Sequence, residues 1–95
     1  MPSPSLVRPM VVPSDVEAIA RLDREATGWA RRAMLDRLVQ VGDGYLLVRD
    51  GEPCGYAISR PFGRGHVIGP VVAESPTDAR ALIEGALARD RKSVV

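Results

Sequence analysis

Residues 66–73 read His-Val-Ile-Gly-Pro-Val-Val-Ala, an apolar strand pattern interrupted at Gly69-Pro70. Proline cannot donate a hydrogen bond to a β-ladder and glycine commonly marks a bulge, so strand pairing should be broken locally at this dipeptide. The following Ser75-Pro76-Thr77-Asp78 has the features of a helix start: a serine N-cap, a proline at the first helical position and an early carboxylate. The sequence therefore predicts a bulged strand that leads directly into a helix N-terminus.

A β-hairpin is predicted immediately before this strand. The apolar runs Tyr45–Arg49 and Cys54–Arg60 flank Asp50-Gly51, a dipeptide typical of tight two-residue hairpin turns. Residues 61–65, Pro-Phe-Gly-Arg-Gly, read as the loop that connects the hairpin to the bulged strand. The three segments together predict three consecutive antiparallel strands.

The residues that follow Asp78 predict a helix that extends to about Arg89. Its apolar positions recur at helical spacing: Ala79, Leu82, Ile83, Ala86 and Leu87. Beyond this helix, Ser93-Val94-Val95 reads as the opening of one more strand.

The first residues of the chain predict a short edge strand. We expect residues 1–5, which contain two prolines, to be flexible, because proline lacks the N–H needed for regular pairing. Leu6–Val12 is a short apolar stretch broken by Pro9, a pattern that suits a strand at a sheet edge or one that ends at the proline.

Two helices are predicted between this strand and the hairpin. Ser14 is the expected N-cap of the first helix, with Glu17 completing a capping box and pairing with Arg21 on the solvent side. Gly28 should separate this helix from a second one at about 30–39. The apolar positions of the two helices are Val16, Ile19, Ala20, Leu22, Met34, Leu35, Leu38 and Val39.

Length and composition indicate one small globular domain. The chain has 95 residues, of which 45% are hydrophobic and 26% charged, as expected for a folded protein and not for a disordered one. Thirteen basic and twelve acidic residues leave a net charge of +1, without the excess typical of proteins that bind nucleic-acid phosphates. All basic residues except Lys92 are arginine, which we interpret as a compositional habit. We expect no nucleic-acid partner.

The cellular compartment follows from cysteine usage and hydropathy. A single cysteine, Cys54, cannot form an internal disulfide, which suits a reducing compartment. No segment approaches the roughly 18 apolar residues of a membrane span, and the first residues contain no apolar signal-peptide core. We therefore expect a cytoplasmic protein without a membrane partner.

No motif for a metal or catalytic site occurs in the sequence, which contains no CxxC, HExxH, GxSxG or phosphate-binding P-loop pattern. We therefore assign no metal site and no catalytic residue. His66 is expected to face solvent or to pack, and Cys54 to fill a small apolar space. Trp29 and Phe62 are expected to pack in the core or in a lid, the alternative being a substrate platform, while Gly63-Arg64-Gly65 is expected to supply turn geometry.

The bulged strand and the helix start together suggest a ligand site. Beyond the bulge, Val71, Val72 and Ala73 can offer unpaired backbone groups to an extended ligand. The helix that begins at Ser75 offers free N–H groups and partial positive charge to a phosphate. The alternative is that Gly69-Pro70 only bends an edge strand and that the serine is only a helix cap.

The order of the predicted elements resembles the GNAT acetyltransferase superfamily, in particular the branch with a fourth strand of the Ile-Gly-Pro-Val-Val-Ala type. The resemblance rests on order and spacing over almost the whole chain, in Val7-Arg8-Pro9-Met10 with Asp15, Leu22-Asp23-Arg24-Glu25 with Gly28 and Arg31, Gly55-Tyr56-Ala57 with Arg60, Ile68–Ala73, and Ala79–Leu82. It implies an α+β fold, β-α-α-β-β-β-α with a further strand, in which helices pack on a mostly antiparallel sheet. Residues 6–95 would form a single partial domain that lacks roughly the final third of the superfamily fold.

The resemblance implies transfer of an acetyl group from acetyl-CoA to an amine by direct attack. Val71, Val72 and Ala73 would hold the pantetheine arm of the co-substrate. The pyrophosphate would fall on the following residues, namely Ser75, Thr77, Asp78, Ala79 and Arg80. This segment lacks the glycines of the superfamily motif and carries the acidic residues Glu74 and Asp78. An acyl-CoA-binding regulatory module and a truncated fragment without its own activity are the alternatives, and the exposed sheet edge predicts a possible homodimer.

Overall fold

The protein is described by a computed structural model over residues 5–11 and 13–93. Three helices and four strands are found in these ranges, in the β-α-α-β-β-β-α order predicted from the sequence. The strands are β1 (Ser5–Pro9), β2 (Asp43–Arg49), β3 (Glu52–Phe62) and β4 (Gly65–Val72), and the helices are α1 (Val16–Thr27), α2 (Arg32–Val41) and α3 (Pro76–Ser93).

The strands form one antiparallel sheet in the order β1-β2-β3-β4. β1 is therefore an edge strand that ends at Pro9, as predicted, and β4 lies at the opposite edge. The turn from β2 to β3 contains Asp50 and Gly51 with φ values of 56° and 78°, the left-handed conformation that a tight hairpin turn requires. The predicted hairpin is thus confirmed.

The two faces of the sheet bury two separate hydrophobic clusters, because side chains alternate between the faces of each strand. On one face, α1 and α2 cover a cluster made of Ile19, Leu22, Leu35, Leu46, Tyr56 and Ile58. On the other face, α3 covers a cluster made of Tyr45, Leu47, Ala57, Leu82 and Ala86. The sheet is therefore the middle of three layers, and the predicted α+β packing of helices on an antiparallel sheet is confirmed.

The start of α1 differs from the predicted capping box. The residue that precedes the helix is Asp15, and no side chain forms a cap hydrogen bond there. The hydroxyl of Ser14 donates instead to the carbonyl of Val11 at 3.4 Å, and Glu17 binds Arg32 at 2.7 Å and not Arg21. The capping box fails because the Asp15 carboxylate is held by β1, accepting hydrogen bonds from the Arg8 guanidinium at 2.7 and 3.1 Å.

The boundaries of the other elements follow the predictions with small shifts. Gly28 ends α1 in the left-handed conformation, with φ of 76°, as a helix C-cap glycine does. β1 begins at Ser5, so the prediction that residues 1–5 are flexible is wrong for Ser5, and residues 1–4 lie outside the described residues. α3 continues to Ser93, so this residue ends a helix and does not open a strand; Val94 and Val95 also lie outside the description.

Candidate functional site

The predicted bulge is present in β4, where it faces β3. Ala57 pairs with Val71 and Ser59 pairs with Ile68, so one residue of β3 lies opposite the two residues Gly69 and Pro70. The bulge interrupts the regular ladder near the middle of the strand. Because β3 is the neighbour of β4 in a sheet that ends with β4, the outer side of β4 is an open edge among the described strands.

A groove opens beside the C-terminal end of β4. Its volume is ≈ 210 Å³, and its lining residues come from α1, β3, β4 and the turn that follows β4: Leu22, Glu25, Ala26, Cys54, Val72, Ala73 and Glu74. Val72 and Ala73, two of the predicted ligand-binding residues, therefore line this groove. Val71 lies on the other face of the sheet, where it packs against the cluster beneath α3.

A glycine of β3 allows β4 and α3 to approach closely at this position. A Cβ atom added to Gly55 would lie 2.8 Å from the carbonyl oxygen of Val72 and 3.2 Å from Cδ1 of Leu82. A side chain here would force the backbone of β4 to move, because the nearer contact is a backbone atom. Gly55 therefore permits the close approach of β4 at the position where Val72 lines the groove.

The N-terminus of α3 is capped as the sequence predicts. The hydroxyl oxygen of Ser75 accepts a hydrogen bond from the N–H of Asp78 at 3.1 Å. The Asp78 carboxylate is almost buried and binds the Arg49 guanidinium at 2.8 Å, and Glu74 lies 3.7 Å from the same guanidinium. Arg49 thus offsets the acidic charge of this turn, a compensation that the sequence does not reveal.

The remaining predicted phosphate-binding residues differ in exposure. Thr77 and Arg80 are exposed in the first turns of α3, and Ala79 is half-buried, with its N–H donated to the carbonyl of Ser75 at 3.0 Å. Arg80 is loosely paired with Glu84 at 3.7 Å, and its side chain is 81% exposed. Thr77 and Arg80 are therefore the predicted side chains that face solvent at this helix end.

Cys54 lies in a second bulge, where Leu47 pairs with Gly55 and Val48 pairs with Pro53. The thiol donates to the carbonyl of Leu47 at 3.5 Å, and burial raises its pKa. A thiol in this state is a weak nucleophile. The prediction that Cys54 fills a small apolar space agrees with its packing beneath α3, but its exposure to the groove was not predicted.

A buried polar cluster lies between α1 and β3. Asp23 is 0% exposed and accepts hydrogen bonds from the Arg31 guanidinium, with Nε at 2.8 Å, and from the Tyr56 hydroxyl at 2.8 Å. The hydrogen bond from Arg31 holds the pKa of Asp23 below its ordinary value, although burial opposes this effect. Burial and the hydrogen bond to Asp23 raise the pKa of Tyr56. Tyr56 therefore remains protonated, and its hydroxyl donates a hydrogen bond to an ionised carboxylate.

Three residues considered from the sequence lie away from these sites. His66 is exposed at the start of β4, in agreement with the solvent-facing interpretation. Trp29 and Phe62 are 72% and 74% exposed, so the prediction that they pack in the core or in a lid is wrong. Trp29 is exposed because it lies in the turn between α1 and α2, and Phe62 because it ends β3 beside the turn at Gly63.

The family of the chain follows from its sequence together with this fold. A family model described as an acetyltransferase (GNAT) domain matches residues 19–95. The chain belongs to the GNAT acetyltransferase family. A crystal structure of a protein assigned to the GNAT family, from Desulfovibrio desulfuricans, has the same fold with a TM-score of 0.75 and 16% sequence identity. The match covers 96% of this GNAT chain and 69% of that one.

The remaining comparison and the described side chains and helices do not extend the GNAT assignment. No curated protein matches the chain in sequence. Within residues 5–11 and 13–93, no three His, Cys, Asp or Glu side chains come together in a way that would hold a metal ion. None of the described helices has the length and apolar character needed to cross a bilayer.

Proposed function

We propose that this GNAT chain binds acetyl-CoA along β4 and transfers the acetyl group to an amine. One observation carries the proposal: an edge strand with a bulge at Gly69-Pro70 leads, within a few residues, into the capped N-terminus of α3. An open strand edge suits the amide-bearing pantetheine arm, and a helix N-terminus suits the phosphates. The pantetheine arm and the phosphates of one ligand therefore match two adjacent segments, the edge of β4 and the start of α3.

The backbone of Val71, Val72 and Ala73 is the proposed binding surface for the pantetheine arm. These residues follow the bulge and lie at the sheet edge, where an extended ligand can pair as an added strand. Val72 and Ala73 also line the groove beside α1. A ligand that binds there would cover the groove and Cys54.

The residues at the start of α3 fit the phosphates once their internal contacts are considered. The N–H groups of Asp78 and Ala79 are already donated to Ser75, and the Asp78 carboxylate binds Arg49, so we assign Ser75, Asp78 and Ala79 only the positive end of the helix dipole and no direct hydrogen bond to the phosphates. Thr77 and Arg80 supply the exposed hydroxyl and guanidinium. Since Arg49 binds Asp78, a phosphate meets less repulsion at this helix end than the sequence suggests.

Acetyl-CoA supplies the acetyl group as a thioester, which a neutral amine attacks so that a C–N bond forms and the C–S bond breaks. The proton released by the nitrogen passes through solvent to the departing CoA thiolate. Backbone N–H groups at the β4 edge are suited to polarise the thioester carbonyl. We propose that Glu25 and Glu74, at the groove beside the bound pantetheine arm, attract a protonated amine, which loses this proton to solvent before it attacks. Tyr56 is not assigned as the acid, because its buried hydroxyl already donates its hydrogen bond to Asp23.

The first experiment uses the single cysteine as a reporter. Cys54 lines the groove, so saturating desulfo-CoA should slow its alkylation by N-ethylmaleimide, and this analogue has no thiol to consume the reagent. Calorimetry on the same sample gives the affinity. Unchanged alkylation together with an absence of binding heat in a folded sample would contradict the proposal.

A pair of arginine variants locates the phosphate end. Arg80→Gln should weaken desulfo-CoA binding about fivefold, as expected for loss of one exposed charge-assisted contact. Arg64→Gln removes the same charge from the exposed turn between β3 and β4 and should leave the affinity unchanged. Equal affinities for the two variants would place the phosphates elsewhere.

A second candidate function is an acyl-CoA-binding module without transferase activity. The observation that favours it is the state of the ionisable groups near the groove: the Cys54 thiol has a raised pKa and the Tyr56 proton is committed to Asp23. Acetyl transfer to a panel of amines, followed by mass spectrometry, separates the two functions. Binding of desulfo-CoA without any acetylated amine would favour the module.

The β4 edge is also the proposed surface for a homodimer. A partner strand and the pantetheine arm would pair with the same backbone groups, so they should compete. Sedimentation velocity with and without desulfo-CoA tests this, because the ligand should convert a dimer into monomers. A dimer that persists at saturating ligand would exclude dimerisation through this edge.

A further inference from the structure

A second groove lies between α1 and α2 and is lined mainly by arginine. Its volume is ≈ 320 Å³, which is at the low end of small-molecule sites. Its charged lining residues are Arg21, Arg24, Arg31, Arg32 and Glu17, and the others are two alanines. It shares no residue with the groove beside β4, which is lined by a different face of α1.

Two of the four arginines are already held by carboxylates. Arg31 is bound to the buried Asp23, and Arg32 binds Glu17 at 2.7 Å and Asp36 at 3.0 Å. These contacts fix the two guanidiniums at the start of α2. The guanidiniums on the α2 rim of the groove are therefore already paired within the protein.

The other two arginines are uncommitted. Arg21 and Arg24 are exposed on α1, and neither forms an ion pair within the part of the chain that the structure describes. They lie three positions apart and therefore on the same side of the helix. The groove thus carries two free guanidiniums, and Glu17, already paired with Arg32, is the single carboxylate that lines it.

We propose that this groove binds a small organic anion through a carboxylate or phosphate group, with Arg21 and Arg24 as its principal ligands. The planar guanidinium presents paired N–H donors that match the geometry of both oxyanions. The concave shape favours a small molecule over a flat macromolecular surface. Arg32 contributes a third donor when Glu17 turns away, so Glu17 competes with the ligand for this guanidinium.

Citrate and inorganic pyrophosphate are suitable probes, one for each anion chemistry. Titration of the full chain is followed by calorimetry and by the fluorescence of Trp29, the single tryptophan, which directly precedes a groove alanine and is exposed. The titrations are repeated with saturating desulfo-CoA to exclude binding at α3. One saturable site is expected, and its affinity should fall as the salt concentration rises.

Charge variants then assign the site. Arg21→Gln and Arg24→Gln should each weaken the bound probe about fivefold, and Glu17→Gln should strengthen binding. Arg37→Gln is the matched control, since Arg37 is an exposed arginine of α2 that does not line the groove. Circular dichroism checks that each variant is folded.

The outcomes distinguish the anion chemistries and the proposal itself. Binding of citrate alone identifies a carboxylate ligand, and binding of pyrophosphate alone identifies a phosphate ligand; either supports the site. If neither probe saturates, or if Arg37→Gln weakens binding as much as Arg24→Gln does, the groove is an ordinary solvated face of two helices and the proposal is overturned.

Discussion

Removal of the Asp23 carboxylate tests how α1 and α2 are joined to the sheet. Asp23 is fully buried on α1 and binds both Arg31, at the start of α2, and Tyr56 of β3. Asp23→Ala leaves the fully buried Tyr56 hydroxyl without an acceptor. Arg31 is less affected, because its side chain is 35% exposed and water can solvate the released guanidinium.

The size of the effect follows from these exposures. A buried hydroxyl that loses its partner costs about 1–3 kcal/mol, and a partly exposed ion pair contributes about 1 kcal/mol. We therefore expect Asp23→Ala to lower the free energy of unfolding by about 2–4 kcal/mol. Tyr56→Phe alone should cost about 1 kcal/mol, since Asp23 keeps Arg31. In the Asp23→Ala background, Tyr56→Phe should be neutral or stabilising, because it removes the unsatisfied hydroxyl.

Urea denaturation followed by circular dichroism measures the four free energies of this double-mutant cycle. Asp36→Ala is the control, since this aspartate also binds an arginine, Arg32, but its side chain is 47% exposed. Its expected loss is about 0.5 kcal/mol. The reasoning is refuted if Asp23→Ala and Asp36→Ala are equally destabilising, or if Tyr56→Phe remains destabilising without the Asp23 carboxylate.

Three further predictions follow from the same structure. The pKa values of Asp15 and Asp23 in the folded protein lie below the unfolded value of 3.8. The stability that these two carboxylates contribute is therefore complete above that pH and is lost as the pH falls through their folded pKa values. Asp23→Asn should flatten the acid limb of a plot of unfolding free energy against pH from 2 to 7. Gly55→Ala should lower the midpoint of thermal unfolding and weaken desulfo-CoA binding, because its Cβ meets a backbone oxygen at 2.8 Å, whereas Gly65→Ala, with nothing within 4 Å, should change neither. Gly85→Ala should lower the free energy of unfolding in urea by about 1 kcal/mol, because overpacking against Val7 of β1, about 1–3 kcal/mol, exceeds the gain in helix propensity. Val7→Ala in the same chain should reverse this loss.

The elements that the sequence predicts correctly are those determined by neighbouring residues. The Asp50-Gly51 turn, the bulge at Gly69-Pro70 and the Ser75 cap each depend on a few consecutive positions, and all three are present. The capping box at Ser14 satisfies the same local rule and fails, because Arg8 from β1 binds the adjacent Asp15. Local chemistry was overridden by a partner from another element of the fold.

The parts of the candidate sites that the sequence does not predict depend on distant partners. Asp23 and Tyr56 are 33 positions apart, and Arg49 and Asp78 are 29 positions apart. Neither separation corresponds to a helical or strand period, so no pattern could have paired them. One signal was present: an aspartate directly after Leu22, in the part of the helix where apolar residues recur, implies a buried carboxylate that needs a partner.

Asp23 lies on α1 between residues that line the two proposed ligand sites, although it lines neither of them. Arg21 and Arg24 line the arginine groove, while Leu22 and Glu25 line the groove beside β4, so the two sites lie on different faces of the same helix. Asp23 accepts hydrogen bonds from Arg31, which lines the arginine groove, and from Tyr56 of β3, the strand that pairs with β4. A rotation of α1 would therefore alter both grooves together, and it would break the hydrogen bonds of the buried carboxylate as well as the apolar packing of Ile19 and Leu22. We infer that the hydrogen bonds of Asp23 specify the rotation of α1 more strictly than apolar contacts at the same position would, because hydrogen bonds are directional.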